Sequence, residues 1–130
     1  MKRIMVMGRN VIEGRKKPLF YHFNQNSSGG VHSFDHTAGI SVNVIIEAYS
    51  ADEANRIAQD IGLYFDGEGY CSCHGDRWYE ASAADSAEYP HIHGAPLTDS
   101  LEHPLDTRWA SKGEPEAYVH YLNGMIEGWA

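Results

Sequence analysis

The chain has 130 residues, a length that suits one domain with a single core. Hydrophobic residues make up 42% of it and aromatic residues 12%, which excludes a disordered composition. No apolar run approaches the roughly 20 residues that span a bilayer, and the opening MKRIMVMGRN lacks the apolar stretch of a secretory signal. We therefore expect a cytoplasmic protein without a membrane segment.

The formal charge of −8 is unevenly distributed along the chain. Residues 1–17 carry six basic residues and one acid (+5), whereas residues 18–130 carry four basic and 17 acidic residues (−13). Nucleic-acid affinity comes largely from neutralising phosphates with Lys and Arg, so the acidic body disfavours a nucleic-acid partner. A basic partner protein or a metal cation fits this charge better, although acids also simply keep a small protein in solution.

Alternating apolar residues predict strands over residues 18–25 and 41–50, with a shorter strand over residues 3–7. The two longer strands are expected to pair antiparallel through the loop over residues 29–39. Within PLFYHFNQ, one face carries Phe20, His22 and Asn24, and the other carries Tyr21, Phe23 and Gln25. Within SVNVIIEAYS, one face carries Val42, Val44, Ile46 and Ala48, with Ile45 opposite.

The segment SADEANRIAQDIG predicts a helix. Ser50 can cap its first turn, Glu53 stands where a capping box needs it, and Gly62 supplies the stop. Apolar side chains recur at helical spacing and form one stripe that must pack on the sheet: Ala54, Ile57, Ala58 and Ile61.

The second half of the chain is less regular. Residues 77–82 can return as a strand, whereas residues 81–116 predict mostly irregular chain with a short helical turn. The segment AYVHYLNGMIEGW predicts a β-hairpin, with Asn123 and Gly124 in a type I′ turn. We therefore predict one α+β domain over residues 1–130: an antiparallel β-sheet with one main helix packed on it, a C-terminal β-hairpin and a basic N-terminal segment over residues 1–17.

A cysteine-containing turn, CSCHGDRWYE, is the first candidate site. Thiolate and imidazole are the donors that zinc prefers, and structural zinc sites use four of them. The turn offers three, Cys71, Cys73 and His74. An extended HIHG segment would place His91 and His93 on one side, where they could complete the set, with His103 as a spare. A zinc ion with four protein ligands would stabilise the fold, whereas one with three ligands and an open position could activate water. The turn could instead carry free thiols or a redox-active C-x-C pair.

A polar segment, YHFNQNSSGG, is the second candidate. Its hydrogen-bonding side chains, His22, Asn24, Asn26 and Ser28 among them, precede a Gly-Gly pair. Such a segment forms a polar pocket, a loop whose backbone N–H groups receive an anion, or an ordinary turn. It is not a Walker loop, because no Gly-Lys-Ser/Thr follows.

The third candidate is GDRWY. Asp76 and Arg77 could pair with each other or with a partner. Trp78 and Tyr79 could form a stacking surface for a partner, whereas the alternative for Trp78 is a satellite core. No nucleophile elbow is present and the carboxylates are scattered, so we assign no catalytic residue.

Three segments together, FYHFNQNSSGG, VIIEAYSADEANRIAQDIGLYFDG and CSCHGDRWYE, resemble a family of small uncharacterised proteins found mainly in bacteriophages. The resemblance covers roughly residues 19–80. The pattern of that family is C-x-C-C-G-D-R-W, so His74 departs from it, though imidazole can replace thiolate on zinc. The resemblance implies a phage accessory protein that acts in the host cytoplasm.

We accordingly expect a non-enzymatic accessory protein, with zinc as a candidate stabiliser, that binds a host protein or complex through an acidic and aromatic surface. Inhibition of a host defence factor is one such role. The alternative is a small-molecule or nucleotide binder, or a metal-dependent hydrolase, that uses residues 22–30 together with the cysteine turn.

Overall fold

A computed structural model describes residues 17–26, 32–65, 77–99, 101 and 115–130. The strand predicted over residues 3–7 lies outside this part of the chain. The strands are β1 (Leu19–Asn24), β2 (Asn43–Ala48), β3 (Ser86–Ala87), β4 (His91–Ile92), β5 (Ala95–Pro96), β6 (Ala117–His120) and β7 (Ile126–Trp129). The helix is α1 (Ala51–Ile61), and 3-10 turns occupy Ala83–Asp85 and Leu97–Asp99. None of the helices described is long and apolar enough to cross a membrane.

Five of the described strands form one sheet in the order β3-β1-β2-β6-β7. The predicted antiparallel pairing of β1 with β2 is confirmed, with Phe23 opposite Val44. β3 extends the sheet antiparallel to β1, and β6 and β7 form the C-terminal hairpin. The central pairing of β2 with β6 is parallel, with Ile45 beside Val119. The domain is therefore α+β with a mostly antiparallel sheet, as the sequence predicts.

Helix α1 packs its apolar stripe on one face of the sheet. Ala54 and Ala58 are fully buried against Val44, Ile46 and Ala48 of β2, and the larger Ile57 and Ile61 border this core cluster. The Ser50 hydroxyl accepts the Glu53 N–H (3.1 Å), which confirms the predicted cap. The Glu53 carboxylate accepts the Tyr49 N–H (2.6 Å) instead of the Ser50 N–H, so the capping box is incomplete. Gly62 ends the helix with a φ of 133°.

The opposite face of the sheet is also buried. Phe20 and Ile45 pack there with Ala117, Val119 and Trp129, and Leu97 reaches the same cluster from the chain that follows β5. Residues 91–99 and 101 therefore form a third layer over this face of the sheet, through Ile92, Leu97 and Leu101. This layer is the region that the sequence predicts as irregular, and within it β4 and β5 form a two-stranded hairpin that was not predicted.

Two local predictions are wrong. Residues 77–82 are not a strand; the strand that returns to the sheet is β3, a few residues later. The C-terminal hairpin also lacks a type I′ turn. Gly124 has a φ of 93° but Asn123 does not have positive φ, and the Tyr121 carbonyl accepts the Gly124 N–H (2.9 Å). This is a three-residue loop that ends in a left-handed glycine.

Gly39 provides a test of how closely the loop between β1 and β2 approaches β6. Its φ is +80°, and an added Cβ would lie 2.8 Å from the imidazole of His120. We expect Gly39→Ala to lower the free energy of unfolding by roughly 2–3 kcal/mol in urea denaturation, through backbone strain and this clash.

Gly124→Ala is the matched control, since Gly124 has a φ of +93° with nothing within 4 Å of an added Cβ. It should cost only the strain, about 1 kcal/mol. Equal losses in the two variants would mean that the contact with His120 contributes nothing.

Candidate functional site

A polar cleft opens where the third layer meets the end of β1. Its volume is about 550 Å³, and its lining is His22, Phe23, Asn24, Asn26, Tyr79, Glu80, Asp85 and His93. Three of the residues predicted to bind a ligand, His22, Asn24 and Asn26, meet here with His93, which was predicted to bind zinc. The structure thus brings parts of two separate candidate sites together.

His22 lies at the inner wall of the cleft and is 7% exposed. Its Nδ1 accepts the backbone N–H of His93 (3.1 Å). Its Nε2 lies 2.7 Å from Asn43 Oδ1, which also accepts from the Asn24 amide (2.9 Å), so Nε2 must carry the proton. These bonds select one neutral tautomer of His22. Burial, the largest cause, lowers the pKa of His22 to about 4.

Two further imidazoles surround His22. Its ring centroid lies 4.7 Å from that of His93 and 5.7 Å from that of His91, both in edge-to-face contact. His91 is 2% exposed. The His91 Nδ1 accepts the Gly94 N–H (2.8 Å), so its Nε2 carries the proton and donates to the Phe20 carbonyl (3.0 Å). Both nitrogens of His91 are therefore used within the fold.

The expected extended conformation of HIHG is wrong. His93 and Gly94 have φ values of 52° and 91°, and they form the two-residue turn between β4 and β5. Positive φ at both positions is the signature of a type I′ turn. This turn directs the chain back after Ile92 and leaves His93 exposed while His91 is buried. His91 could coordinate a metal only by losing one of its two hydrogen bonds.

The remaining predicted zinc ligands, Cys71, Cys73 and His74, lie outside the described residues, as does the spare ligand His103. Two residues predicted to bind a partner or ligand, Asp76 and Ser28, also lie outside them. Within the described part of the chain, no group of three or more His, Cys, Asp or Glu side chains is arranged to hold a metal ion. The cysteine turn as a zinc site therefore stays a prediction.

Residues 77 and 78, also predicted to bind a partner, make their contacts within the fold. Trp78 is 2% exposed and belongs to the core beneath α1, so it offers no stacking surface. Arg77 donates from Nη1 to Gln25 Oε1 (2.8 Å) and from Nε to the Tyr64 hydroxyl (3.1 Å). Arg77 therefore ties the segment before the cleft to the end of β1.

Helix α1 holds the outer rim of the cleft in place. The side-chain amide of Asn55 donates to the Ala81 carbonyl (3.0 Å), and its oxygen accepts the Ala81 N–H (2.8 Å). Residues 79 and 80 immediately precede this clamp. Tyr79 is 56% exposed, and Glu80 is exposed beside it. Asp85 caps its own 3-10 turn by accepting the Ser82 N–H (2.8 Å).

Sequence reasoning named Tyr79 as part of a stacking surface, and the ring is exposed at the rim. It missed four residues of this site: Asn43, Asn55, Glu80 and Asp85. Asn43 carried one signal, because it is a polar residue on the Ile45 face of the most apolar strand. Asn55 lies in α1, and its role depends on the contact with Ala81. Glu80 and Asp85 come from chain predicted as irregular or misassigned as a strand, whose course depends on tertiary contacts.

Taken together, the architecture is an α+β domain of three layers with a polar, acidic cleft. A family model, the domain of unknown function DUF7296, matches residues 18–130, and the chain belongs to that family. No curated protein and no solved structure matches the chain.

The two hydrogen bonds between Asn55 and Ala81 should stabilise the rim of the cleft. Asn55→Ala removes two hydrogen bonds to a buried backbone unit, and we expect it to lower the free energy of unfolding by roughly 1–3 kcal/mol. Chemical denaturation measures this loss. Gln59→Ala, at an exposed position of α1, should stay within about 0.5 kcal/mol of the parent protein. Similar values for both variants would show that the clamp is not stabilising.

The burial of His22 should make the free energy of unfolding decrease at acidic pH. Its pKa falls from 6.5 to about 4 on folding, so the unfolded chain takes up a proton at this residue more readily. Stability is therefore unaffected above about pH 6.5 and is lost as the pH falls towards 4, by up to roughly 3 kcal/mol. His22→Gln keeps a donor and an acceptor but cannot titrate, and should flatten this part of the stability profile.

His32→Gln is the control for that measurement, because it removes a histidine outside the cluster. Urea denaturation at several pH values from 7 to 4 gives the three profiles. A His22→Gln profile that parallels the parent would contradict the assignment.

Proposed function

We propose that this chain is a non-catalytic binding protein that captures a basic segment of a partner protein in the cleft. The observation that carries the proposal is the composition of the lining. Among the described residues that form it are two carboxylates, Glu80 and Asp85, and the exposed ring of Tyr79, with neither Lys nor Arg.

A guanidinium or ammonium group suits this lining. Carboxylates accept charge-assisted hydrogen bonds from such groups, and a tyrosine ring attracts a cation to its face. The amides of Asn24 and Asn26 add uncharged donors and acceptors for the backbone of a bound segment. The charge of −13 on residues 18–130 would also speed the approach of a basic partner.

The bonding of the buried histidines supports binding rather than catalysis. A general base needs a free lone pair and a pKa near the working pH. His22 has both nitrogens hydrogen-bonded and a pKa of about 4, and both nitrogens of His91 are bonded as well. The lack of a cationic side chain among the described lining residues disfavours the nucleotide alternative, because phosphate would meet only negative charge.

The resemblance to bacteriophage proteins extends the proposal. In this form, the chain is a phage accessory protein in the host cytoplasm, and its partner is a host protein or complex, such as a defence factor. The cysteine turn would then serve as a structural zinc site. Elemental analysis of the purified protein tests the zinc site alone. A protein that contains no zinc, and whose stability is unchanged by a chelator, would contradict the zinc site.

The binding test uses a fluorescently labelled octa-arginine peptide and measures anisotropy at moderate salt. We expect Glu80→Gln to weaken binding about 5- to 10-fold, since one charge-assisted contact is lost. Asp60→Asn makes the same charge change at an exposed position of α1 and should alter affinity less than about 2-fold.

Equal effects of the two variants would mean that the peptide binds the acidic surface diffusely, which contradicts the proposal. Free arginine amide that binds as tightly as the peptide would instead indicate a small organic cation as the ligand. A labelled octa-glutamate peptide should not bind.

A further inference from the structure

The turn at His93 and Gly94 is held by side chains. A histidine with a φ of 52° is in the left-handed region, which costs about 1 kcal/mol or more for a residue with a side chain. Both backbone N–H groups of the turn point inward to imidazole acceptors: His93 N–H to His22 Nδ1 and Gly94 N–H to His91 Nδ1. The surrounding structure thus maintains a conformation that this sequence would otherwise disfavour.

The hydrogen bond from His93 depends on which nitrogen of His22 is protonated. Asn43 Oδ1 accepts hydrogen bonds from the Asn24 amide and from the Nε2–H of His22, so His22 Nδ1 is left as an acceptor. The chain of bonds runs from β2 through β1 to the turn. A proton on Nδ1 would set two donors against each other and release His93.

The charged and titratable groups that face His22 come from two neighbouring elements. The β4–β5 hairpin contributes His91 and His93, whose proximity adds to the effect of burial in lowering the pKa of His22. The 3-10 turn Ala83–Asp85 contributes Asp85, whose negative charge raises that pKa. Strand β2 contributes the neutral amide of Asn43.

We infer that His22 is a positioning residue: by accepting the N–H of His93, it holds the His93 imidazole at the rim of the cleft, where that ring contacts the bound partner. The ring of His93 is exposed and stands edge-on to His22 at 4.7 Å, on the same lining as the two carboxylates. The contact with a partner rests on the proposed function, whereas the link between His22 and His93 is a property of the free protein.

The first experiment uses the free protein and NMR. Long-range proton–nitrogen spectra should show His22 as the Nε2–H tautomer, and hydrogen exchange should show a protected His93 amide. We expect His22→Leu to lower the protection of that amide at least 10-fold at neutral pH. His22→Gln, which supplies an acceptor and a donor, should keep it within about 3-fold.

The matched control is His120→Gln. His120 is as buried as His22 (7% exposed), and its Nε2 lies 2.8 Å from the Gly39 carbonyl. The N–H groups of the turn at His93 and Gly94 bond to His22 and His91, so His120 is a buried histidine with a different partner. This variant should leave His93 protected. Acidification through pH 4 should remove the protection of the His93 amide in the parent and in His120→Gln. It should not do so in His22→Gln, because glutamine cannot take up a proton. A general loss of stability at low pH would instead affect all three proteins alike.

The second experiment returns to the octa-arginine peptide. His93→Gly keeps a residue suited to the left-handed turn and removes only the ring; it should weaken binding 3- to 10-fold, as should His22→Leu. An Nδ1–H tautomer, or unchanged His93 protection in His22→Leu, overturns the positioning role. If His22→Leu does not fold, the pH arm with His22→Gln decides. A parent protein that binds no peptide refutes the proposed function, whereas the exchange data still decide the role of His22.

Discussion

The burial of polar side chains between β1 and the layer above it governs the organisation of the site. A buried imidazole or amide without a partner costs roughly 1–3 kcal/mol, so each must be satisfied inside the fold. His22, Asn43 and Asn24 satisfy one another across the two strands, and the turn at His93 completes the set. The β4–β5 hairpin is therefore positioned by the hydrogen bond from the His93 N–H to His22 Nδ1.

The same requirement explains why the cleft is asymmetric. Its inner wall is uncharged at His22, because both nitrogens of that imidazole are hydrogen-bonded in one neutral tautomer. Its outer rim, with Tyr79 and Glu80, is exposed and is attached to α1 through Asn55. An uncharged, preorganised floor below charged, accessible groups suits the recognition of a ligand more than its chemical conversion.

The regular elements could be predicted from the sequence because their signals are local. Alternation identifies β1 and β2, the apolar stripe and Ser50 identify α1, and the paired apolar runs identify the C-terminal hairpin. The parallel alignment of β2 with β6 could not be predicted, because it joins segments about 70 residues apart. The type of turn was wrong in the C-terminal hairpin, where only Gly124 of the Asn-Gly pair has positive φ, and the turn at His93 and Gly94 was not predicted. Part of the site was found through its polar residues, but the proximity of His22 to HIHG required the third layer.

The parallel pair at the centre of the sheet has a consequence for folding. Ile45 and Val119 are neighbours in space, but the whole intervening chain must be closed into a loop before they meet. Contacts of such long range slow folding, because the entropy of loop closure is lost before the contact is gained. During synthesis, β2 cannot complete its pairing until β6 has emerged. The backbone groups on that edge of β2 stay unpaired until then, and partly folded chains with unpaired strand edges are prone to aggregate.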